Sequence, residues 1–240
     1  MKTFEQLLKK LNEVKKMGYV KTHRSGNTGI GKTLEDLLEI EENNYAGPDG
    51  LTTELKAGRR NSISMLTLFT KSPEPTGINS VLLNELGYAD SKRNGEKVLH
   101  STVNAVSFNQ LRGGNSLKID LFSDRIEINS PKLKQNPKTP TPYWEKNTLQ
   151  KSFERKYIEL LYVKADSRGS GNNEEFHYNE AWLMKGFDFE NFLKLLSEGT
   201  LLVDIRIGQY PDGRPHDHGT GFRVKPENLP MCFKNRQRVL

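Results

Sequence analysis

Between Gly47 and Lys56 the chain reads Gly-Pro-Asp-Gly-Leu-Thr-Thr-Glu-Leu-Lys, a tight turn followed by a run of strand character. Side chains at i and i+2 of a strand share a face, so Glu54 and Lys56 are expected to project together with Leu55 buried behind them. Asp49, at the turn, brings a second carboxylate toward them if that turn closes on the strand. Two such oxygen ligands suit a hard cation like Mg²⁺, which is held by one or two carboxylates together with waters and phosphate oxygens. A metal so placed polarises a phosphoryl oxygen, and the lysine can orient a water or neutralise developing charge. The bland alternative is a solvated strand face on which Glu and Lys alternate with apolar residues.

The 240 residues suit one domain or two lobes sharing a core. Mean hydropathy is −0.71, yet Val, Ile, Leu and Phe recur in clusters, so disorder is not indicated. A net charge of +6 favours a polyanionic partner, with nucleic acid as the first expectation. The single cysteine, Cys232, excludes an internal disulfide framework and a cysteine-rich zinc site. No apolar run approaches the roughly 18 residues of a membrane span, and no signal-peptide pattern opens the chain. A soluble, cytoplasmic protein without a membrane partner is expected.

Residues 3–17 carry Phe4, Leu7, Leu8, Leu11 and Val14 at helical spacing, with a Thr3/Gln6 capping box and Gly18 to close the helix. Gly26-Asn27-Thr28-Gly29-Ile30-Gly31-Lys32-Thr33 then matches the G-x-x-x-x-G-K-T phosphate loop, and Leu201-Leu202-Val203-Asp204 could pass as its companion strand and acid. A phosphate loop needs a buried strand before it and a parallel sheet around it. The polar stretch 18–24 and the hairpin-like sequence that follows do not supply them. A glycine-rich helix entry is therefore favoured over a nucleotide hydrolase, and no nucleotide cofactor is expected. That helix is placed at about 33–44, capped by Thr33 and Asp36, with Glu35 beside its buried stripe.

Gly58-Arg59-Arg60-Asn61 reads as a turn joining the Glu54/Lys56 strand to Met65–Thr70 in a hairpin, with Lys71 following. Residues 72–115 read as loop-rich around one short helix, and 117–128 as a second hairpin. Prolines at 131, 137, 140 and 142 suggest a link between lobes, dividing the chain into 1–142 and 143–240. Beyond it, strands are expected near 157–163 and 175–184, with a helix from Asp188 through Leu196. The strand Leu201–Ile207 leads into Tyr210–Arg223, which holds His216, Asp217, His218 and Arg223 on a Gly/Pro-framed loop. Arginine reads guanine by bidentate contact and histidine can touch base edges. The alternatives are a His-x-His metal site or a plain surface loop.

Taken together, these segments resemble the MvaI/BcnI group of type II restriction endonucleases, in the MutH-like branch of the PD-(D/E)XK nucleases. The resemblance is densest at Gly26–Glu42, Asp49–Lys56, Leu66–Pro73 and Val203–Arg223. It implies an α/β fold: a restriction-endonuclease-like mixed sheet flanked by helices, in two lobes forming a DNA-binding cleft, with 1–142 catalytic and 143–240 for recognition. Asp49, Glu54 and Lys56 match the family's catalytic triplet, Asp49 and Glu54 as its metal ligands, and Glu35 matches its additional helix carboxylate. Arg206, His216, Asp217, His218 and Arg223 match positions used to read bases. Arg59, Arg60 and Lys71 are expected on phosphates. The resemblance further implies double-stranded DNA as substrate, Mg²⁺ as cofactor, a short CCNGG-type site, a monomer that nicks each strand in turn, and a cognate methyltransferase acting on the same site. The Leu-Thr-Leu-Phe-Thr-Lys sequence at 66–71 is similar to the branch whose central pair is A·T, which favours CCWGG. A MutH-like nickase activated by a partner and a non-cleaving DNA-binding module stand as the rival readings.

Overall fold

The computed structural model describes residues 1–41, 47–93, 95–210, 212–217 and 219–240. In chain order these form α1 (Phe4–Lys16), β1 (Val20–Lys21), α2 (Gly29–Leu37), β2 (Thr53–Arg59), β3 (Leu66–Thr70), α3 (Ile78–Leu86), β4 (Tyr88–Ala89), β5 (Lys97–Val103), β6 (Lys118–Leu121), β7 (Arg125–Asn129) and α4 (Pro131–Lys134). There follow β8 (Tyr143–Glu145), α5 (Lys146–Lys156), β9 (Glu159–Arg168), β10 (Glu175–Lys185), α6 (Phe189–Ser197), β11 (Leu201–Gln209), β12 (Pro215–Asp217), β13 (Gly221–Val224) and β14 (Asn235–Arg238). The chain divides into two compact units, one of Met1–Leu66, Ser152–Phe189 and Pro226–Leu240, the other of Thr67–Lys151 and Glu190–Lys225.

The first unit is built on a sheet of order β1-β10-β9-β2, with β14 also paired to β10. β2 runs parallel to β9, from Thr53 opposite Glu159 to Arg59 opposite Ala165, and the other pairs are antiparallel. α1 begins at the expected capping box, Thr3 and Gln6 each satisfying the other's backbone N–H. It ends before Gly18, whose φ of +71° suits glycine. Leu7, Leu11 and Val14 of α1 and Ile30, Leu34 and Leu38 on and just after α2 close over Leu55, Leu161, Val163, Phe176 and Tyr178 of the sheet. Each fully buried leucine stabilises by about 1.5–3 kcal/mol, so the two helices fix where β2 lies.

The second unit holds a sheet of order β3-β13-β11-β5-β4, with β12 on β11, and a three-stranded sheet β6-β7-β8. Phe69, Trp144, Phe192 and Phe222 make its aromatic centre, with Phe69 stacked on Phe222 at 4.9 Å between ring centroids.

Several sequence-based expectations give way to the observed topology. β2 and β3 are not hairpin partners: β2 takes β9, and β3 takes β13. A parallel pair requires a long crossover, and residues 67–151 fill it. For the same reason the boundary expected at 142/143 does not separate the units, and the proline-rich stretch lies inside the second, carrying α4. β2 also continues through Gly58 and Arg59 instead of turning there. Gly58 lets Tyr162 of β9 lie close, since a Cβ there would stand 2.6 Å from the Tyr162 hydroxyl. The region 72–115 contains β5, an interior strand whose His-Ser-Thr content disguised its buried Val98, Leu99 and Val103. α2 starts earlier than 33 and stops at Leu37, where Glu39 turns to a φ of 53°.

Candidate active site

Asp49 reaches β2 through a turn that sequence chemistry dictates. The Gly50 N–H donates to the Thr53 carbonyl at 2.8 Å, and the Leu51 N–H donates to the Lys2 carbonyl at 2.8 Å. A Cβ on Gly50 would meet Leu7 Cδ1 and Lys2 O at 3.0 Å, so a larger residue would have to push these neighbours aside. The turn delivers Asp49 Oδ2 to the Leu55 N–H, which donates to it at 2.8 Å. One carboxylate is thereby fastened to the strand that carries the second.

Glu54 is 0% exposed. Its Oε1 accepts a hydrogen bond from Lys56 Nζ at 2.5 Å and lies 3.1 Å from Lys156 Nζ, delivered by the last residue of α5. Its Oε2 is buried and has no hydrogen-bond partner among the described residues, which is costly unless another group satisfies it. Burial lifts the Glu54 carboxyl above the usual range, with the charge of Asp49 adding to it and the two ammonium groups opposing it. Burial alone would lower Lys56, but the adjacent Glu54 outweighs it and raises the ammonium's pKa, with Asp49 and Glu35 contributing in the same direction. Glu35 thus belongs to the electrostatics of this cluster from α2. The Tyr157 phenol, enclosed beside it, is pushed well above its ordinary value by burial and then by Glu54 and Asp49. One strand position before Glu54, Thr53 Oγ1 donates to Glu159 Oε1 at 2.6 Å, and Lys185 pairs with the other Glu159 oxygen at 2.8 Å.

The donor set fits a hard cation. Among the described residues no three His, Cys, Asp or Glu side chains form a ready metal cage. Two carboxylates with one orphaned oxygen are, however, what an ion that keeps waters and takes phosphate oxygens requires. Sequence reasoning brought Asp49, Glu54 and Lys56 together correctly as geometry. It missed Lys156, which lies far along the chain on a polar helix and carries no local signal.

The glycine-rich segment is a helix entry in structure. β1 is a two-residue edge strand antiparallel to β10, and Lys32 pairs with Asp36 at 2.9 Å. Thr33 is buried and accepts the His23 N–H at 2.9 Å. Thr33 and Asp36 therefore lie within α2 and do not cap it. Gly29 is needed because a Cβ would lie 2.1 Å from the Arg24 carbonyl oxygen.

Arg59 and Arg60 are both paired within the first unit. Arg59 makes a bidentate pair with Glu174 at 2.6 and 2.7 Å and also donates to the Gly26 carbonyl at 3.2 Å, tying the glycine segment to the sheet. Arg60 is held by Asp166 and Glu180 and by the Asn179 amide oxygen. Both guanidiniums are neutralised by acids of β10 or its approach and, for Arg60, of β9, which their own segment does not reveal. Lys71 is fixed through its main chain, its N–H donating to Thr220 O at 3.0 Å and its carbonyl accepting from Trp144 Nε1 at 2.8 Å.

In the second unit, Asp204 is 1% exposed on β11 and acts on two arginines. Arg206 Nε donates to its Oδ2 at 2.6 Å, and Arg223 Nε lies 3.1 Å from the same oxygen. Thr102 Oγ1 donates to Oδ1 at 3.0 Å. Burial lowers the pKa of Arg223, against the pull of Asp204. In sequence, Asp204 stood out only as a candidate phosphate-loop acid. His216 stacks on Tyr210 at 4.6 Å. Asp217 ties this loop to the segment after β3 and to α3, accepting from Ser72 and Asn79 at 2.6 Å and from the Gly219 N–H at 2.8 Å. His218 lies outside the described residues.

Similarity to known proteins covers the whole of this geometry. The family model described as MvaI/BcnI restriction endonuclease family matches residues 8–233. A solved structure, "Restriction endonuclease MvaI-cognate DNA substrate complex", is 31% identical over 100% of both chains, with a TM-score of 0.87. Another, "Restriction endonuclease MvaI in the absence of DNA", is 31% identical over the same extent, with a TM-score of 0.59. No curated protein matches the chain.

Proposed function

Because this chain belongs to the MvaI/BcnI restriction endonuclease family, and is thereby a type II site-specific deoxyribonuclease, we propose that it hydrolyses double-stranded DNA with Mg²⁺ at a CCWGG site of the CCNGG type. On this reading it is a cytoplasmic monomer that nicks each strand in turn and leaves 5′-phosphate ends. Its partner is a methyltransferase acting on the same site. Double-stranded DNA as substrate is supported by the similar MvaI structure, a complex with its cognate DNA substrate.

The observation that carries the catalytic reading is the buried Glu54 Oε2 without a hydrogen-bond partner among the described residues, beside Asp49 and apart from the two lysines held on Oε1. Asp49 and Glu54 would hold the cation. A bound Mg²⁺ supplies Lewis-acid polarisation of the phosphoryl oxygen and acidifies a coordinated water. Lys56, kept as an ammonium by Glu54, orients the attacking water and balances charge that develops on the phosphate. Glu35 adds a further acceptor for a water on the α2 side. In the second unit, Asp204 would direct Arg206 and Arg223 toward guanine edges, with His216 beside them. Asp217 would serve chiefly as the anchor of that loop.

The test is incubation of a mixed-sequence plasmid with Mg²⁺ and sequencing of the ends produced, with Asp49→Ala as control. Discrete breaks within CCWGG, absent from the variant, are expected. Breaks scattered over unrelated sequences, or cutting that survives in the variant, would refute the assignment.

A further inference from the structure

Lys156 has no part in the reading above, yet its ammonium reaches the same Glu54 oxygen as Lys56, at 3.1 Å against 2.5 Å. Its side chain is 21% exposed, so the charge is largely removed from water. It enters from α5, a different element from the β2 strand that carries Glu54 and Lys56. The described cluster therefore holds three carboxylates, Asp49, Glu54 and Glu35, and two ammonium groups, Lys56 and Lys156. With all five ionised the site carries a net charge of about −1, and a divalent cation would take it to about +1, balanced by one phosphodiester. Without Lys156 the same cation would already neutralise the site, and DNA would add nothing to that balance.

We propose that Lys156 is a positioning residue that makes metal loading depend on DNA. In the DNA-free protein it stands in for part of the cation's charge, confining Glu54 Oε1 and opposing entry of a divalent ion at the Asp49/Glu54 pair. The scissile phosphate supplies the negative charge that offsets this opposition, so the metal is retained where there is a bond to cut. This inference rests on the assignment of Asp49 and Glu54 as the metal-holding pair.

The DNA-free protein is titrated with Mg²⁺ while its thermal unfolding midpoint is followed, a readout that needs no turnover. Lys156→Met is expected to lower the midpoint of the metal-free protein, because the buried carboxylate loses one counter-ion. The same variant is expected to reach half-saturation at roughly tenfold lower Mg²⁺ than the parent protein. Lys156→Arg, which keeps the charge, is expected to retain the parent's weak affinity. A residue that merely pinned α5 would lower the metal-free midpoint without tightening Mg²⁺. An equal or weaker Mg²⁺ response in Lys156→Met beside a measurable parent response would overturn the inference alone. A Mg²⁺ response that persists unchanged in Asp49→Asn/Lys156→Met would place the ion elsewhere and overturn the metal assignment itself.

Discussion

Replacing Asp204 by Asn keeps the shape of the side chain and one acceptor oxygen but removes the charge that two guanidiniums share. Thr102 loses little, since its hydroxyl can still donate to an amide oxygen in the place of Oδ1. The Arg206 side chain is 44% exposed, so solvent screens that pair and its loss is worth less than about 1 kcal/mol. Arg223, at 23%, has less water to turn to, and breaking this partly buried ion pair costs roughly 1.5–3 kcal/mol, between the values for exposed and fully buried pairs. The variant should be about 1.5–4 kcal/mol less stable in urea unfolding. The same change releases the direction of both arginines. A bidentate base contact discriminates by about 1–3 kcal/mol, so affinity for the cognate duplex should fall at least tenfold more than affinity for random duplex of equal length. Fluorescence anisotropy with the two duplexes at one salt concentration measures this. A stability loss under about 1 kcal/mol, or equal losses on both duplexes, would refute the view that one buried carboxylate aims both side chains.

Lys56→Ala should reduce cleavage by about 10²–10⁴-fold while leaving cognate binding in place, checked by single-turnover assay beside anisotropy; cutting at the parental rate would remove Lys56 from the chemistry. Arg60→Met should destabilise the first unit yet leave the salt dependence of DNA binding unchanged, because Asp166 and Glu180 already neutralise the guanidinium. Lys71→Met, if Lys71 meets a phosphate, should reduce the slope of log K against log salt by about 0.9. Glu159 gives a pH signature. Burial alone would raise its carboxyl, but hydrogen bonds from Lys185 and Thr53 outweigh that and hold it below its ordinary value of 4.5. A depressed folded pKa contributes stability that is complete above the unfolded value and is lost as pH falls through the folded one. Glu159→Gln should therefore flatten the decline in unfolding midpoint below about pH 4.5, and an unchanged acid limb would count against the network.

What could be read in advance followed from local spacing. The i, i+2 placement of Glu54 and Lys56, the Pro-Asp-Gly turn and the Thr3/Gln6 cap depend on neighbours in sequence, and each has its expected geometry. Pairings across long intervals were hidden. Nothing near Arg59 announces Glu174, nothing near Lys156 announces Glu54, and β2 gives no sign that β9 is its neighbour. The phosphate-loop match misled for a related reason. Its letters describe a backbone path, and here Gly29 serves a close crossing under Arg24 while Lys32 and Thr33 are engaged within the protein.

The parallel union of β2 with β9 also sets an order of events during synthesis. Thr53 cannot meet Glu159 until the ribosome has delivered the whole of 67–151. Until then the strand bearing Glu54 has no flanking ladder, and Lys156 has not yet been made. Glu54 and Lys156 therefore meet only after the 67–151 segment of the second unit has emerged. Such long-interval pairing is slow to form, so the cluster of Asp49, Glu54, Lys56 and Lys156 is completed late in the folding of the chain.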